Sequence, residues 1–267
     1  MDSGRVISAD GTTIAFDHYG SGPSLIVVGG ATATRGAAAT LCEKLASHLS
    51  AYTYDRRGRG DSGDTLPYAV EREIEDIDAM IAVAGGSAFV LGQSSGAVLA
   101  LRAAATGLPI SRLAVYEPPF IVDDGRSKVP ENYVAHLNEL VAAGKRGDAF
   151  AYFLKEAVGI PDEYIERMKG SPIWESSEQV AHTIAYDGEI MGETMWGKPL
   201  SRRPWEAISV PTLVMDGGAS AEWQHKGVRE LVAILPNARH LTLEGQGHGP
   251  ADDVLAPVLV DFFLGGA

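Results

Sequence analysis

Three kinds of side chain in this sequence could together activate a hydroxyl group. The first is Ser94, at the centre of Gly92-Gln93-Ser94-Ser95-Gly96. The apolar run Ala88-Phe89-Val90-Leu91 precedes it and a helical run, Ala97 to Ala105, follows, so the serine falls at a strand-to-helix junction. Such a turn strains its central residue, and only small residues two positions to either side let strand and helix pass. Gly92 and Gly96 fill those places. A serine hydroxyl is weakly acidic and attacks a carbonyl carbon only when a base takes its proton. His248, in the glycine-rich loop Gly245-Gln246-Gly247-His248 after an apolar strand, is the candidate base. His136, His182 and His225 sit in helical patterns and His240 in a strand, which gives them structural readings, and His18 and His48 precede the serine. The third kind is a carboxylate to orient the base and balance its charge. Glu117 and Asp216 both close apolar strands.

Other chemistries find less support. Cys42 is the only cysteine, so no intrachain disulfide can form, and its helical setting lacks the electropositive surroundings that activate a thiol. Gly58-Arg59-Gly60-Asp61-Ser62-Gly63 satisfies the dinucleotide pattern G-x-G-x-x-G, but it follows the fourth strand and Leu66-Pro67 delays the next helix. No acidic residue closes a second strand about 20 residues on, as ribose recognition requires. No cluster of His, Cys, Asp and Glu has ligand spacing, so neither metal nor cofactor is expected. A net charge of −13 argues against nucleic acid or an anionic membrane surface as partner and suits a small neutral substrate. No apolar run approaches the ~20 residues of a membrane span. The amino terminus shows no basic-then-apolar signal pattern, which makes a cytoplasmic location the expectation.

The elements that must position these residues alternate. Val6 to Ile7 and Thr12 to Phe16 read as short strands around a turn. Ser24 to Val28 and Ala51 to Tyr54 read as further strands, with a helix over Gly36 to Leu49 between them and another over Leu66 to Val83. After the serine's helix, Arg112 to Tyr116 is a strand that ends at Glu117-Pro118-Pro119. The alternation then lapses. Helices are predicted over Glu131–Ala143, Asp148–Val158, Asp162–Met168 and Glu175–Ala185. Strands resume at Pro211 to Asp216 and Arg239 to Leu243, separated by a helix ending near Leu235 and followed by one over Asp253–Leu264. Strand-helix alternation on both sides of an insertion implies an α/β fold with a mostly parallel sheet covered on both faces. The chain length suits one such domain.

With Gly29-Gly30 after the third strand, Asp55 to Ser62 after the fourth, Gly92 to Gly96 after the fifth and Gly245 to His248 after the last, the chain resembles the α/β-hydrolase family over nearly its whole length. The resemblance implies an eight-stranded, mostly parallel sheet flanked by helices. Residues 1–120 and 207–267 would form the core, and 121–206 a helical cap inserted after strand 6. It implies Ser94 as nucleophile, His248 as base, and an oxyanion hole from the backbone N–H groups of Ser95 and Ala31, with Gly30 or Thr32 as alternatives to Ala31. The family's acid usually follows strand 7, where this chain carries Asp216-Gly217-Gly218-Ala219-Ser220 and Ser220 occupies the expected place. A subset of haloalkane dehalogenases is similar in carrying the acid as Glu at the end of strand 6, which puts Glu117 first and Asp216 second. Asp123 and Asp124 stand at the start of the cap.

The expected activity is that of a serine hydrolase acting on a small, mostly apolar ester, thioester or lactone, with some of the cap residues Tyr133, Phe150, Tyr152, Phe153, Leu154, Tyr164, Met168, Trp174, Tyr186, Met191, Met195 and Trp196 lining its pocket. Two alternatives remain. One is a cofactor-free lyase or perhydrolase-type enzyme on the same fold. The other, motivated by Ser220, is a ligand-binding protein with a degraded triad.

Overall fold

The computed structural model describes residues 1–265, so the last two residues of the 207–267 segment lie outside it. Eight strands form one sheet: β1 (Asp2–Ile7), β2 (Thr13–Tyr19), β3 (Ser24–Val28), β4 (Ser50–Tyr54), β5 (Ala88–Gln93), β6 (Ile110–Tyr116), β7 (Thr212–Gly217) and β8 (Ala238–Leu243). Their spatial order is β1-β2-β4-β3-β5-β6-β7-β8. The pairs β1/β2 and β2/β4 are antiparallel, and every later pair is parallel. Among the described residues ten α-helices accompany them: α1 (Ala39–Leu45), α2 (Val70–Val83), α3 (Ser95–Ala105), α4 (Tyr133–Ala142), α5 (Arg146–Phe153), α6 (Asp162–Met168), α7 (Pro172–Gln179), α8 (Ile184–Met191), α9 (Glu222–Ile234) and α10 (Asp252–Leu264).

Successive strand residues point to opposite faces, so a strand that is apolar at every position must be covered twice. In β3, Leu25 and Val27 join a cluster with Leu41 and Leu45 of α1 and Leu255, Leu259 and Phe263 of α10. Ile26 and Val28 of the same strand pack on the other face, with Ile77 and Met80 of α2 and Leu99 of α3. This second cluster continues into the segment between β6 and β7, taking in Tyr133, Phe150, Trp174, Ala181 and Ile184. That segment holds α4 to α8, with no strand among the described residues.

Several boundaries differ from the sequence expectation. Strands β1 and β2 are longer at their outer ends, because edge pairing from Asp2↔His18 to Ile7↔Thr13 recruits exposed polar residues that no apolar run marks. The helix expected from Gly36 is a 3₁₀ turn over Arg35–Ala38 followed by α1, which stops where His48 N and Leu49 N both donate to Leu45 O. Helix α2 starts at Val70 rather than Leu66, since a residue before proline is disfavoured in helical conformation. The helix expected over Asp148–Val158 ends as α5 plus a π turn, closed by Gly159 in left-handed conformation. The helix expected over Glu175–Ala185 is broken into α7, a 3₁₀ turn over Ala181–Thr183, and α8. The break lies where Thr183 is turned inward to accept from the Arg59 guanidinium at 3.0 Å, a tertiary contact that periodicity does not register.

Candidate active site

At the end of β5, Ser94 has φ 54° and ψ −126°, the strained geometry anticipated for the centre of the turn. The flanking glycines are there for space. A Cβ on Gly92 would lie 2.5 Å from Gly96 O, and one on Gly96 would lie 2.4 Å from Val28 O. The turn is tied to the neighbouring strand by Ser94 N–H donating to Tyr116 O at 2.9 Å. The next residue after that carbonyl is Glu117, so one strand end anchors the serine and carries a carboxylate.

Glu117 is fully buried and has φ 44°, a conformation side chains rarely adopt. Its backbone N–H donates to Met215 O, while Gly217 N–H donates to its Oε1 at 2.8 Å. Its Oε2 lies 2.7 Å from His248 Nδ1. On the opposite edge of the imidazole, Nε2 lies 3.0 Å from Ser94 Oγ. A carboxylate can only accept, so Nδ1 carries the proton and the Nε2 lone pair faces the serine hydroxyl. The loop bearing His248 is held against the end of β7 by Ala219 N–H to Gln246 O and Gly218 N–H to Leu243 O, both at 2.8 Å. Tyr116 OH also donates to Gly247 O. The imidazole side chain is 46% exposed, so a substrate can reach the face where the carboxylate cannot.

Burial pushes the Glu117 carboxyl up, but hydrogen bonds from His248 and Gly217 N–H outweigh it and hold the group below the ordinary carboxylate range. A charged Glu117 is what the orientation of His248 requires. Ser220, at the position where the resemblance placed an acid, is thus a neutral neighbour of the carboxylate that approaches from β6. Asp216 does not face His248. Its Oδ2 is 2.7 Å from His225 Nδ1, and its Oδ1 accepts from Thr242 Oγ1 at 2.7 Å and lies 3.1 Å from His240 Nε2. These bonds offset the burial of Asp216 and keep its carboxyl below its ordinary value, while His225 is raised by the same contact. Asp123 pairs with Lys226 on α9.

Ser95 opens α3 directly after Ser94, so its N–H is one of the donors a helix start leaves unpaired. Gly30 packs so tightly that a Cβ there would lie 3.0 Å from Ser94 Cβ. Ala31 follows at once, before Thr32 turns with φ 60°. Among the described residues the N–H groups of Ser95 and Ala31 donate to no protein acceptor, leaving both available to an oxygen beside Ser94.

Sequence reasoning missed Gln224. Its Nε2 donates to Glu117 Oε2 at 2.8 Å and sits 3.0 Å from His248 Nδ1, while its Oε1 accepts from Ala221 N–H at 3.2 Å. No local pattern marks it, because its importance comes from α9 starting beside the end of β6. Sequence reasoning also missed the chemistry of Arg56 and Arg59, which are fully buried among acidic partners. Their only signal was a run of charge beside a glycine turn. Of the aromatic and methionine residues named as pocket candidates, Tyr133, Phe150, Trp174, Met191 and Met195 are in the buried core, whereas Tyr164 is half exposed. A cleft of about 670 Å³ opens between Arg126, the 155–162 stretch and Trp223, and its lining includes none of Ser94, Ser95, Ala31 or His248.

A family model described as alpha/beta hydrolase family matches residues 10–259. The N-formylmaleamate deformylase of Pseudomonas putida is 34% identical, over 94% of this chain and 92% of its own length. The pimeloyl-[acyl-carrier protein] methyl ester esterase of Xanthomonas campestris pv. campestris is 27% identical over 88% of this chain and 91% of its own. Among solved structures, an alpha/beta hydrolase from Sphaerobacter thermophilus superposes with a TM-score of 0.91 at 54% identity, covering 97% of this chain and all of that one.

Proposed function

The chain belongs to the alpha/beta hydrolase family and is an enzyme of the hydrolase type, and from that premise we propose that it is a serine hydrolase working through an acyl-enzyme on Ser94. The observation that carries the reading is the continuous relay from Ser94 Oγ through His248 to Glu117, with contacts of 3.0 and 2.7 Å. Ser94 Oγ bonds to the acyl carbon as its proton passes to His248 Nε2. The N–H groups of Ser95 and Ala31 hold the oxyanion, and Glu117 balances the imidazolium. Collapse expels the leaving group, which takes the proton from His248. Water then attacks the acyl-enzyme, His248 again removes a proton, and Ser94 is released with the carboxylic acid product. No step calls for a metal, and no His, Cys, Asp and Glu group able to hold one occurs among the described residues.

The substrate class we favour is a small, mostly apolar ester, thioester or lactone, with residues 121–206 acting as a cap over Ser94. The esterase relative is consistent with the ester bond. The deformylase relative, at 34% identity, supports a second reading in which the bond cleaved is an activated N-formyl amide. Both use the same relay and differ in the leaving atom that His248 protonates. A fluorophosphonate probe should label wild type at Ser94 and leave Ser94→Ala unlabelled. Absence of labelling in the folded wild type would sink the acyl-enzyme reading, and p-nitrophenyl esters run beside N-formyl amides divide the two substrate classes.

A further inference from the structure

The buried charges around Arg56 and Arg59 converge on the two stretches that carry the oxyanion donors. Asp187, on α8, uses both carboxylate oxygens. Its Oδ1 accepts from Arg56 Nη1 and from Ser95 Oγ, each at 2.7 Å, and its Oδ2 accepts from Arg59 Nη2 at 2.7 Å. Arg59 Nη1 in turn donates to Gly30 O at 2.7 Å, and Arg56 Nη1 reaches Gly29 O at 3.4 Å. Glu73 takes the remaining face of Arg56 through a two-pronged contact at 2.6 and 2.7 Å, so two guanidinium groups meet two carboxylates. The arginine side chains are 1% exposed and that of Asp187 6%.

The peptide that presents Gly30 O to Arg59 is the one that carries Ala31 N–H. In a planar trans peptide the carbonyl and the N–H point in opposite directions, so a guanidinium gripping the oxygen sets the aim of the N–H. The second donor belongs to Ser95, whose side chain Asp187 holds directly. We propose that Asp187 is a positioning residue for the oxyanion hole, fixing the Ser95 donor through its hydroxyl and the Ala31 donor through Arg59. This rests on the acyl-enzyme reading above. Because Asp187 comes from the segment between β6 and β7, the hole is assembled only when α8 is docked. A shift of that helix withdraws the anchor from both donors at once.

The test compares Ser95→Ala and Asp187→Asn with wild type, using p-nitrophenyl acetate turnover and inhibition by a trifluoromethyl ketone, whose serine adduct places an oxyanion in the hole. Ser95→Ala keeps the N–H and removes only its tether. Losing a donor outright costs ~100-fold or more, so a misaimed one is expected to lower kcat about tenfold with KM within about twofold. The ketone's inhibition constant should rise by the same factor. Asp187→Asn, which loosens both donors, should lower kcat about a hundredfold with a matching loss of ketone affinity. Asp76→Asn is the control, since Asp76 pairs with Arg57, which touches neither Gly30 nor Ser95. It should lower Tm and leave kcat per folded enzyme unchanged. If Asp187→Asn does not fold, Ser95→Ala decides alone. Folded Ser95→Ala with kcat and ketone affinity both within about twofold of wild type overturns the proposal. Failure of the fluorophosphonate to label wild type would instead bring down the acyl-enzyme reading on which it rests.

Discussion

Replacing Glu117 by Gln tests the relay at the member that sequence left most open. The change is isosteric, and the environment makes it severe. Glu117 Oε1 receives Gly217 N–H, while Oε2 receives His248 Nδ1–H and Gln224 Nε2–H. An amide offers one acceptor, so whichever way it is turned, its NH₂ faces at least one buried donor, at a cost of ~1–3 kcal/mol. If the NH₂ faces His248, the imidazole is driven to the tautomer with a proton on Nε2, which can no longer accept from Ser94. The charge that balances the imidazolium is lost as well, and two unit charges about 4 Å apart at an effective dielectric constant near 20 interact by ~4 kcal/mol. At 1.36 kcal/mol per decade, that alone is roughly a thousandfold. The expected result is a fall in kcat of ~10³ to 10⁴, similar to what serine-protease triads show for the equivalent change. Steady-state turnover of a p-nitrophenyl ester, with a thermal melt to verify folding, provides the assay. A folded Glu117→Gln enzyme within about tenfold of wild type would refute the reasoning, above all if Asp216→Asn proved the more damaging.

Removing Gln224 with Leu takes one charge-assisted hydrogen bond from Glu117 Oε2 and should lower kcat ~10-fold with little change in KM, whereas unchanged steady-state kinetics would show that Gln224 is only structural. Asp216→Asn should cost stability rather than rate. Weakening the carboxylate's bonds to His225, His240 and Thr242 is worth ~2 kcal/mol, or roughly 4–8 °C in Tm for a chain of this size, with kcat within about threefold. The His225 contact also has a pH signature. His225 is raised in the folded state, so its contribution to stability is complete below its unfolded value near pH 6.5 and is lost as pH rises through the folded value. Wild type should therefore exceed His225→Gln in Tm by more near pH 6 than near pH 9, and a gap that widens with pH would contradict the pairing. Gly96→Ala should fail by packing, because the new Cβ would meet Val28 O and Gly29 O at 2.4 and 2.5 Å. A loss of ~3 kcal/mol or more is expected in denaturant melts, and a stable, active variant would show the turn to be looser than described.

Much of the molecule was legible in the chain because its signals are local. Continuous apolar runs such as Ser24 to Val28 demand a sheet covered on both faces, and small residues around Ser94 demand a tight turn between strand and helix. Those two facts, with the late glycine loop, were enough to place Ser94 and His248. Element ends were less legible wherever another part of the fold set them. Edge pairing extended β1 with residues that carry no apolar signal, and the contact between Thr183 and Arg59 split one predicted helix into two. The carboxylate was open for the same reason. Glu117 and Asp216 both end apolar strands and carry the same charge, so before the fold is known only the family resemblance ranks Glu117 ahead of Asp216. The separation comes from the sheet order, which sets β6 between β5 and β7. From there Glu117 reaches His248, while Asp216, one strand further out, is taken up by His225, His240 and Thr242. Gln224 and Asp187 belong to the same class. Their partners lie 24 and 92 or more residues away along the chain, and only folding brings them within hydrogen-bonding distance. Sequence determined which residues could do the chemistry, because strand, turn and helix are dictated by near neighbours. Tertiary structure decided which carboxylate lies against His248 and which charged groups lie against Ser95 and Gly30, because charge pairing depends on distance in space and not along the chain.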